Sequence, residues 1–360
     1  MTAVTGGVFD ASVLTILNAA EVLSFSSTGM VLTGSKGLDF GLTGTDLGDF
    51  DAQGIPHSGT ITGFQVIHAD RAVISWTNMN TSADAFFHDV QALDLTALGQ
   101  VVYAGADKFD VVGSIDGAPP SFYEGFGGDD LFHVNLSLHG AAITLRGDAG
   151  NDTFNFDANF DAATDSMNGG KGFDTLNLTG GSAADLTFGA TSIVNVEKIG
   201  LSNANNFTIT MNDGNVAKGA RLSVDASQLI NHTLTFDGHT ETNGFFTVHG
   251  GASNDVLIGG QQADILSGAH GNDTLTGGLG ADVFKFTGKF GQDTVTDFAA
   301  TGAAHDVLNF AGDFGSFAAL QPHMTQNDTG DVIIALDASN SIVLQHVTLA
   351  DLTAADFTFG

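Results

Sequence analysis

Apolar residues recur at a fixed nine-residue period between Gly250 and Lys285. The segment reads GGASNDVLI, GGQQADILS, GAHGNDTLT and GGLGADVFK, four units with no residue between them. Three residues around each apolar place are too few for a stable strand, but identical strands stacked in register bury one apolar column. The pattern predicts a stack of very short strands joined by glycine-rich turns. Its apolar residues are Leu257, Leu266, Leu275 and Phe284.

Each unit also carries an aspartate at its sixth place. Two units fill one turn of such a stack, so Asp255 is expected to face Asp273, and Asp264 to face Asp282. Glycines at the first, second and fourth places permit positive φ and tight turns with inward carbonyls. Carboxylates at close range repel unless a cation lies between them, and hard oxygen ligands suit calcium. The repeat therefore predicts calcium sites between its turns.

This nonapeptide resembles the calcium-binding repeat of RTX (hemolysin-type) proteins. The resemblance implies that second- and fourth-place carbonyls and the aspartate of one turn meet first- and third-place carbonyls and the aspartate of the next. A flexible Gly/Asp linker is the alternative, but linkers do not place apolar residues at a fixed period. The implied ligands of one ion are Gly251, Ser253, Asp255, Gly268, His270 and Asp273, those of a second are Gly260, Gln262, Asp264, Gly277, Leu279 and Asp282, and the fourth-place Gly271 and Gly280 extend the same pattern.

The pattern continues after the tandem block. Gly288, Gly291, Asp293 and Val295 restart the nonapeptide frame after a slip of two residues. We expect Asp293 to stack on Asp273. The last sites would be completed by Asp297 or by Asp306.

Three further matches lie upstream, as GFGGDDLFH, GDAGNDTFN and GGKGFDTLN. Their aspartates Asp130, Asp152 and Asp174 are 22 residues apart, which predicts a wider β-helix with one nonapeptide per turn and a single calcium ladder along one edge. Asp107 would be a weaker rung, or an isolated turn aspartate.

The remaining chain also favours β structure. Alternating segments between residues 185 and 248 predict further coils, in which Asp237 either begins the calcium ladder or lies in a plain turn. The predicted fold class is all-β, a right-handed parallel β-helix or β-roll forming a calcium-binding β-solenoid. The predicted regions are a β-rich N-terminal part or cap (1–100), a wide β-helix (101–248), an RTX β-roll (249–300) and a C-terminal β cap (301–360).

Composition narrows the function. The formal net charge of -31 argues against nucleic acid as a partner, because phosphates require the opposite sign. It also predicts calcium-dependent folding, since self-repulsion and glycine entropy oppose the metal-free fold. The chain has no cysteine, so stability outside the cell must come from calcium and stacking.

The resemblance implies export by a type I secretion machinery that reads an uncleaved C-terminal signal. The ending VTLADLTAADFTFG is similar to such a signal, although residues 356–360 could equally form a final packed strand. No stretch of the sequence approaches a membrane span.

Catalytic motifs are mostly missing from the sequence, although its many aspartates leave a glycosidase-like pair open. It contains neither a His-Glu-x-x-His zinc motif nor a Gly-x-Ser-x-Gly elbow. We expect a non-enzymatic, secreted calcium-binding structural protein of the cell surface or matrix, with a surface-layer, biofilm or adhesive role. It would bind several Ca²⁺ ions and self-associate or contact cell-surface glycans. The alternative is a secreted enzyme or glycan-binding protein whose active module lies in residues 1–100.

Overall fold

The structure is a computed structural model of the 360-residue chain. The structure describes residues 21–26, 29–33, 38–48, 58–68, 71–82, 106, 108–114, 121–138, 142–158, 160–181, 185–202, 204–302, 304–312 and 314–359. Asp107, predicted as the weakest member of the first ladder, lies outside these residues.

The chain divides into two compact units, Met1–Leu176 and Asn177–Gly360. The predicted region boundaries near residues 100, 248 and 300 stay predictions.

The first unit opens with an antiparallel sheet. Its five strands pair in sequence order, each with the next along the chain. The apolar runs between glycine turns in this region are strands, and their pairing differs from that of a parallel coil. The strands are β1 (Glu21–Ser26), β2 (Gly29–Thr33), β3 (Leu38–Gly48), β4 (Ser58–His68) and β5 (Arg71–Ser82).

Parallel coils follow in the same unit. One sheet contains β6, β8 and β10, and a second contains β7, β9 and β11. Thr153 pairs with Leu131, which is the predicted step of 22 residues. The rings of Phe109, Phe132 and Phe154 stack at 4.6 and 4.8 Å in the core of these coils. The strands are β6 (Lys108–Ser114), β7 (Ser121–Glu124), β8 (Leu131–Leu138), β9 (Ile143–Ala149), β10 (Thr153–Ala158) and β11 (Ser166–Lys171).

The alternating segments between residues 185 and 249 form the coils predicted for them. Strand β12 (Thr175–Gly181) spans the boundary between the units. In the second unit β15, β17 and β19 belong to one parallel sheet, and β13, β16 and β18 to another. The strands are β13 (Asp185–Thr187), β14 (Ile193–Val194), β15 (Lys198–Leu201), β16 (Phe207–Thr210), β17 (Arg221–Asp225), β18 (Leu234–Asp237) and β19 (Phe245–His249).

The nonapeptides stack alternately, as their period predicts. Strands β20, β22 and β24 pair in parallel in one sheet, and β21, β23 and β25 in the other. Leu257, Leu266, Leu275 and Phe284 are fully buried and form the apolar columns. The strands are β20 (Val256–Ile258), β21 (Ile265–Ser267), β22 (Thr274–Thr276), β23 (Val283–Phe286), β24 (Gln292–Val295) and β25 (Val307–Phe310).

The C-terminal segment closes the second unit. It begins with a short helix, α1 (Phe317–Leu320), and a 3₁₀ turn (Gln321–His323). Three strands follow, β26 (Met324–Gln326), β27 (Val332–Ala335) and β28 (Ser341–Leu344). Two further 3₁₀ turns, Leu349–Asp351 and Ala354–Asp356, precede the last strand, β29 (Phe357–Phe359). Strand β29 pairs in parallel with β25. Of the residues expected to be either a signal or a packed strand, Phe357–Phe359 form this strand, and their role in export stays a prediction.

The fold class is confirmed as an all-β parallel β-solenoid. α1 is four residues long, and no helix in the described part of the chain is long and apolar enough to cross a bilayer.

Candidate metal centre

One edge of the nonapeptide stack carries a ladder of buried aspartates. Asp273 Oδ1 accepts the backbone N–H of Asp255 at 2.7 Å, and Asp293 Oδ1 accepts that of Asp273 at 2.9 Å. At the head of this edge, Asp255 Oδ1 accepts the N–H of Leu234. Each carboxylate therefore ties its own turn to the turn before it. We call this edge 1.

The opposite edge, edge 2, repeats the arrangement. Asp282 Oδ1 accepts the N–H of Asp264 at 2.7 Å, and Asp306 Oδ1 accepts that of Asp282 at 2.9 Å. At its head Asp264 Oδ1 accepts the N–H of Phe246. The stacking of Asp273 on Asp255 and of Asp282 on Asp264 matches the order that the sequence predicts.

The first unit has a ladder of the same kind. Asp152 Oδ1 accepts the N–H of Asp130 at 2.8 Å, and Asp174 Oδ1 accepts that of Asp152 at 2.7 Å, each over 22 residues. All three aspartates are buried. The predicted one-edge ladder is thus assembled in the order of its glycine turns.

The second oxygen of these carboxylates distinguishes the ladder positions. Asp255 and Asp264, at the two heads, use Oδ2 to accept the N–H of Gly251 and Gly260 in their own turns. In the described residues, Oδ2 of Asp152, Asp273 and Asp282 is buried without a hydrogen-bond partner. A buried oxygen left in this state costs about 1–3 kcal/mol or more when charged. A bound cation would remove that cost.

Glycines keep the space beside these oxygens open. A methyl group on Gly250 would collide with Asp255 Oδ2 and lie 2.5 Å from the carbonyl oxygen of Gly268. On Gly259 it would collide with the carbonyl oxygen of Gly277 and lie 2.5 Å from Asp264 Oδ2. Gly250 and Gly259 thus each leave a small space between the carboxylate of their own turn and a carbonyl of the next turn.

The fourth-place glycines serve the stacking of turns. Gly271 and Gly280 have φ of 126° and 139°, which side chains rarely adopt. Their α-carbons lie against the carbonyl oxygens of Ser253 and Gln262, two predicted ligands in the turn before.

The other predicted carbonyls also join adjacent turns. Gly251 O accepts the N–H of His270, and Gly260 O accepts that of Leu279, both at 3.1 Å. The His270 side chain turns to the carbonyl of Lys289, and the Leu279 side chain is exposed. Neither side chain enters the ladder, in agreement with ligands that are backbone oxygens.

Burial raises the pKa of the ladder carboxyls, because desolvation disfavours the charged form. The pKa rises to about 6 for Asp255 and Asp264, although backbone N–H groups oppose the rise. It rises to about 7 for Asp273 and Asp282 and to about 8 for Asp293, where neighbouring aspartates add to desolvation. A divalent cation would reverse this unfavourable balance of charge.

Two aspartates occupy different places from those expected. Asp297 lies outside the ladder, and its two oxygens accept the N–H groups of Gly277 and Gly278 at 2.8 Å each. Asp306 takes the ladder place that was open to either residue. Asp237 is the last residue of β18 and pairs with Ile258, three residues past the ladder position, and its carboxylate accepts the N–H of His239.

Some residues of the centre were not predicted. Asp165 is a buried aspartate on the opposite side of the first unit's coils. Its two carboxylate oxygens accept the N–H groups of Ile143 and Asp161. It follows ANFDAAT, which lacks the glycine signature. Beside the carboxylate ladders, the Asn254 and Asn272 side chains accept N–H groups of the next turn, at a repeated fifth place that the sequence displays.

No group of three or more His, Asp or Glu side chains able to hold a metal ion occurs among the described residues. The donor set consists of paired carboxylates and backbone carbonyls. Hard oxygens of this kind match the ligands that calcium takes in proteins. The residues present therefore fit calcium.

The family model of the RTX calcium-binding nonapeptide repeat matches the chain in four copies, over residues 144–163 and 249–284. These ranges include the Asp152 turn and the four tandem units. The extracellular lipase LipA from Serratia marcescens is similar at 16% sequence identity and a TM-score of 0.23, over 71% of this chain. The chain spans 39% of the length of that lipase. No curated protein matches it.

Proposed function

We propose that this chain, which carries RTX calcium-binding nonapeptide repeats, is a secreted structural protein whose solenoid folds on calcium outside the cell. One observation carries the proposal: buried carboxylates are stacked turn upon turn, and Oδ2 of Asp152, Asp273 and Asp282 has no hydrogen-bond partner in the described residues. A chain that stacks charge in this way gains folding free energy from each cation it binds.

Calcium concentration would then decide where the protein folds. Extracellular calcium modules bind at about 0.1–1 mM, above the concentration inside cells. An unfolded chain in the cytosol suits export through a type I machinery, and calcium outside the cell would drive folding after release.

Calcium titration followed by circular dichroism tests the folding step. The chelated protein is expected to give a coil spectrum at pH 8, and millimolar calcium to convert it to β. Magnesium at the same concentration is the matched control, because it demands octahedral geometry and keeps its waters. A β spectrum that a strong chelator leaves unchanged would contradict the proposal.

The structural role at the surface or matrix rests on the kind of fold. A solenoid presents repeated surfaces along its length, and stacked coils can extend when their ends are weakly capped. Exposed apolar side chains, Phe173 in the first unit and Ile230 and Leu279 in the second, are available for contacts. Electron microscopy of the purified protein with and without calcium tests this role: ordered sheets or filaments in calcium are expected, and persistent monomers would overturn it.

A further inference from the structure

The two edges of the nonapeptide stack begin with different residues at the same place. In the turn before edge 1, Leu229 O accepts the N–H of Ala252, and the Leu229 N–H donates to Ala226 O. In the turn before edge 2, Glu241 O accepts the N–H of Gln261, and the Glu241 N–H donates to Gly238 O. Leu229 and Glu241 are therefore equivalent positions, one apolar and one acidic.

Both side chains are fully buried, at 0% exposure. Leu229 places a buried apolar side chain at the head of edge 1. Glu241 places a carboxylate at the head of edge 2, where its Oε1 accepts the N–H groups of Asn243 at 3.0 Å and Gly244 at 2.9 Å. Its Oε2 is buried without a hydrogen-bond partner in the described residues, the condition also found at Asp273 and Asp282.

The surroundings of Glu241 favour a cation. Two backbone N–H groups donate to one oxygen of the Glu241 carboxylate and hold the group at a place closed to water. The next carboxylate along the edge is Asp264, which interacts unfavourably with the charge of Glu241 and favourably with that of Arg221. The Arg221 guanidinium donates hydrogen bonds to Phe246 O and Thr247 Oγ1.

Two backbone oxygens of the turn that carries Glu241 border Gly260. A methyl group on Gly260 would be 2.9 Å from Glu241 O and 3.4 Å from Gly238 O, so the missing side chain leaves two carbonyls beside the turn. The repeat lacks its usual aspartate here, because Phe246 stands at the ladder position. A glutamate from another place of the turn supplies the acid instead.

We propose that the turn 238–244 binds an additional calcium ion at the head of edge 2, with Glu241 as its anionic ligand and carbonyl oxygens completing the shell. Edge 1, closed by Leu229, has no counterpart. The two edges thus hold unequal numbers of ions, and binding at Glu241 orders the turn on which the first nonapeptide of edge 2 stacks. This inference rests on the proposed calcium function.

Equilibrium dialysis of the full chain against calcium chloride tests the site. The variants are Glu241→Gln, which removes the charge and keeps the shape, and Glu241→Leu, which copies edge 1. Both are expected to bind one ion fewer than the parent chain at saturation. Leu229→Ala is the matched control on edge 1 and is expected to leave the number of ions unchanged.

The outcomes separate the competing explanations. Glu241 variants that bind as many ions as the parent chain would overturn the site and assign Oε2 to a proton or a buried water. If Glu241→Gln fails to give the β spectrum in calcium, the number of calcium ions that Glu241→Leu binds at saturation decides. A parent chain that binds no calcium overturns the proposed function together with the site, whereas a parent that binds calcium and variants that match it overturn the site alone.

Discussion

A ladder aspartate combines two roles that pull in opposite directions. Asp273 Oδ1 holds the N–H of Asp255 and so fixes the spacing of two turns. The same carboxylate buries Oδ2 without a partner, which destabilises the metal-free fold. The residue is therefore well placed to make folding depend on a cation.

Replacing Asp273 by asparagine separates these roles. The amide keeps an oxygen for the Asp255 N–H but loses the charge, so the calcium concentration at half-folding is expected to rise about tenfold or more. Calcium titration at pH 8, followed by circular dichroism, measures this effect. The exposed Asp328→Asn is the matched control, and equal responses of both variants would contradict the ladder.

The raised pKa values predict how pH acts on the metal-free protein. Asp273 and Asp282 titrate near 7 and Asp293 near 8 when folded, against about 3.9 for an unfolded aspartate. The folded state thus binds more protons at these three carboxyls between these values, and the stability they contribute is fully present below about pH 4 and is lost as pH rises through 7 to 8.

In chelator, a folded β spectrum with a thermal transition is accordingly expected at pH 5.5, and a coil spectrum at pH 8.5. Added calcium should stabilise the fold more at pH 8.5, because protons compete with calcium for the carboxylates. A chelated protein that is more stable at the higher pH would disprove the linkage.

At the scale of the element, the nine-residue unit encodes both its turn and its neighbour. Each unit holds the glycines, the ladder aspartate and the buried apolar residue, so its period alone predicts alternate stacking. Glu241 and Asp165 could not be found in this way, because the turns that carry them lack the glycine signature. Their role depends on which backbone groups the adjacent turn brings to them.

Strand pairing outside the repeats shows the same limit. The runs of β2 to β5 are recognisable as strands from their apolar residues and flanking glycines. Their antiparallel order depends on chain reversal between strands, which no local period specifies. The sequence left Asp297 and Asp306 as alternatives for the last ladder position, because the loop between them has no repeat period; the structure gives that position to Asp306.

A first-place glycine tests the element directly. Gly259→Ala is expected to lower the free energy of unfolding in calcium by about 2 kcal/mol or more, because its methyl group would collide with Gly277 O and crowd Asp264 Oδ2. Gly315→Ala, where nothing lies within 4 Å, is the control and should change stability by less than about 1 kcal/mol. Denaturant unfolding in calcium measures both, and equal losses would contradict a close-packed turn.

At the scale of the whole molecule, two kinds of repulsion oppose the metal-free fold. One is the formal net charge of -31 spread over the chain, and the other is the charge buried in the ladders. Salt distinguishes them, because the Debye length falls to about 3 Å at 1 M and screens exposed charges far more than buried ones.

Chelated protein at pH 8 is therefore expected to stay unfolded in 1 M sodium chloride and to fold in millimolar calcium at low salt. Small-angle scattering follows this, since unfolding a chain of this length enlarges its radius of gyration by about threefold. Potassium chloride at the same concentration controls for an effect specific to sodium. Folding in salt alone would assign the calcium response to surface charge. Folding by calcium alone would assign it to the charge buried in the ladders, which monovalent salt screens far less.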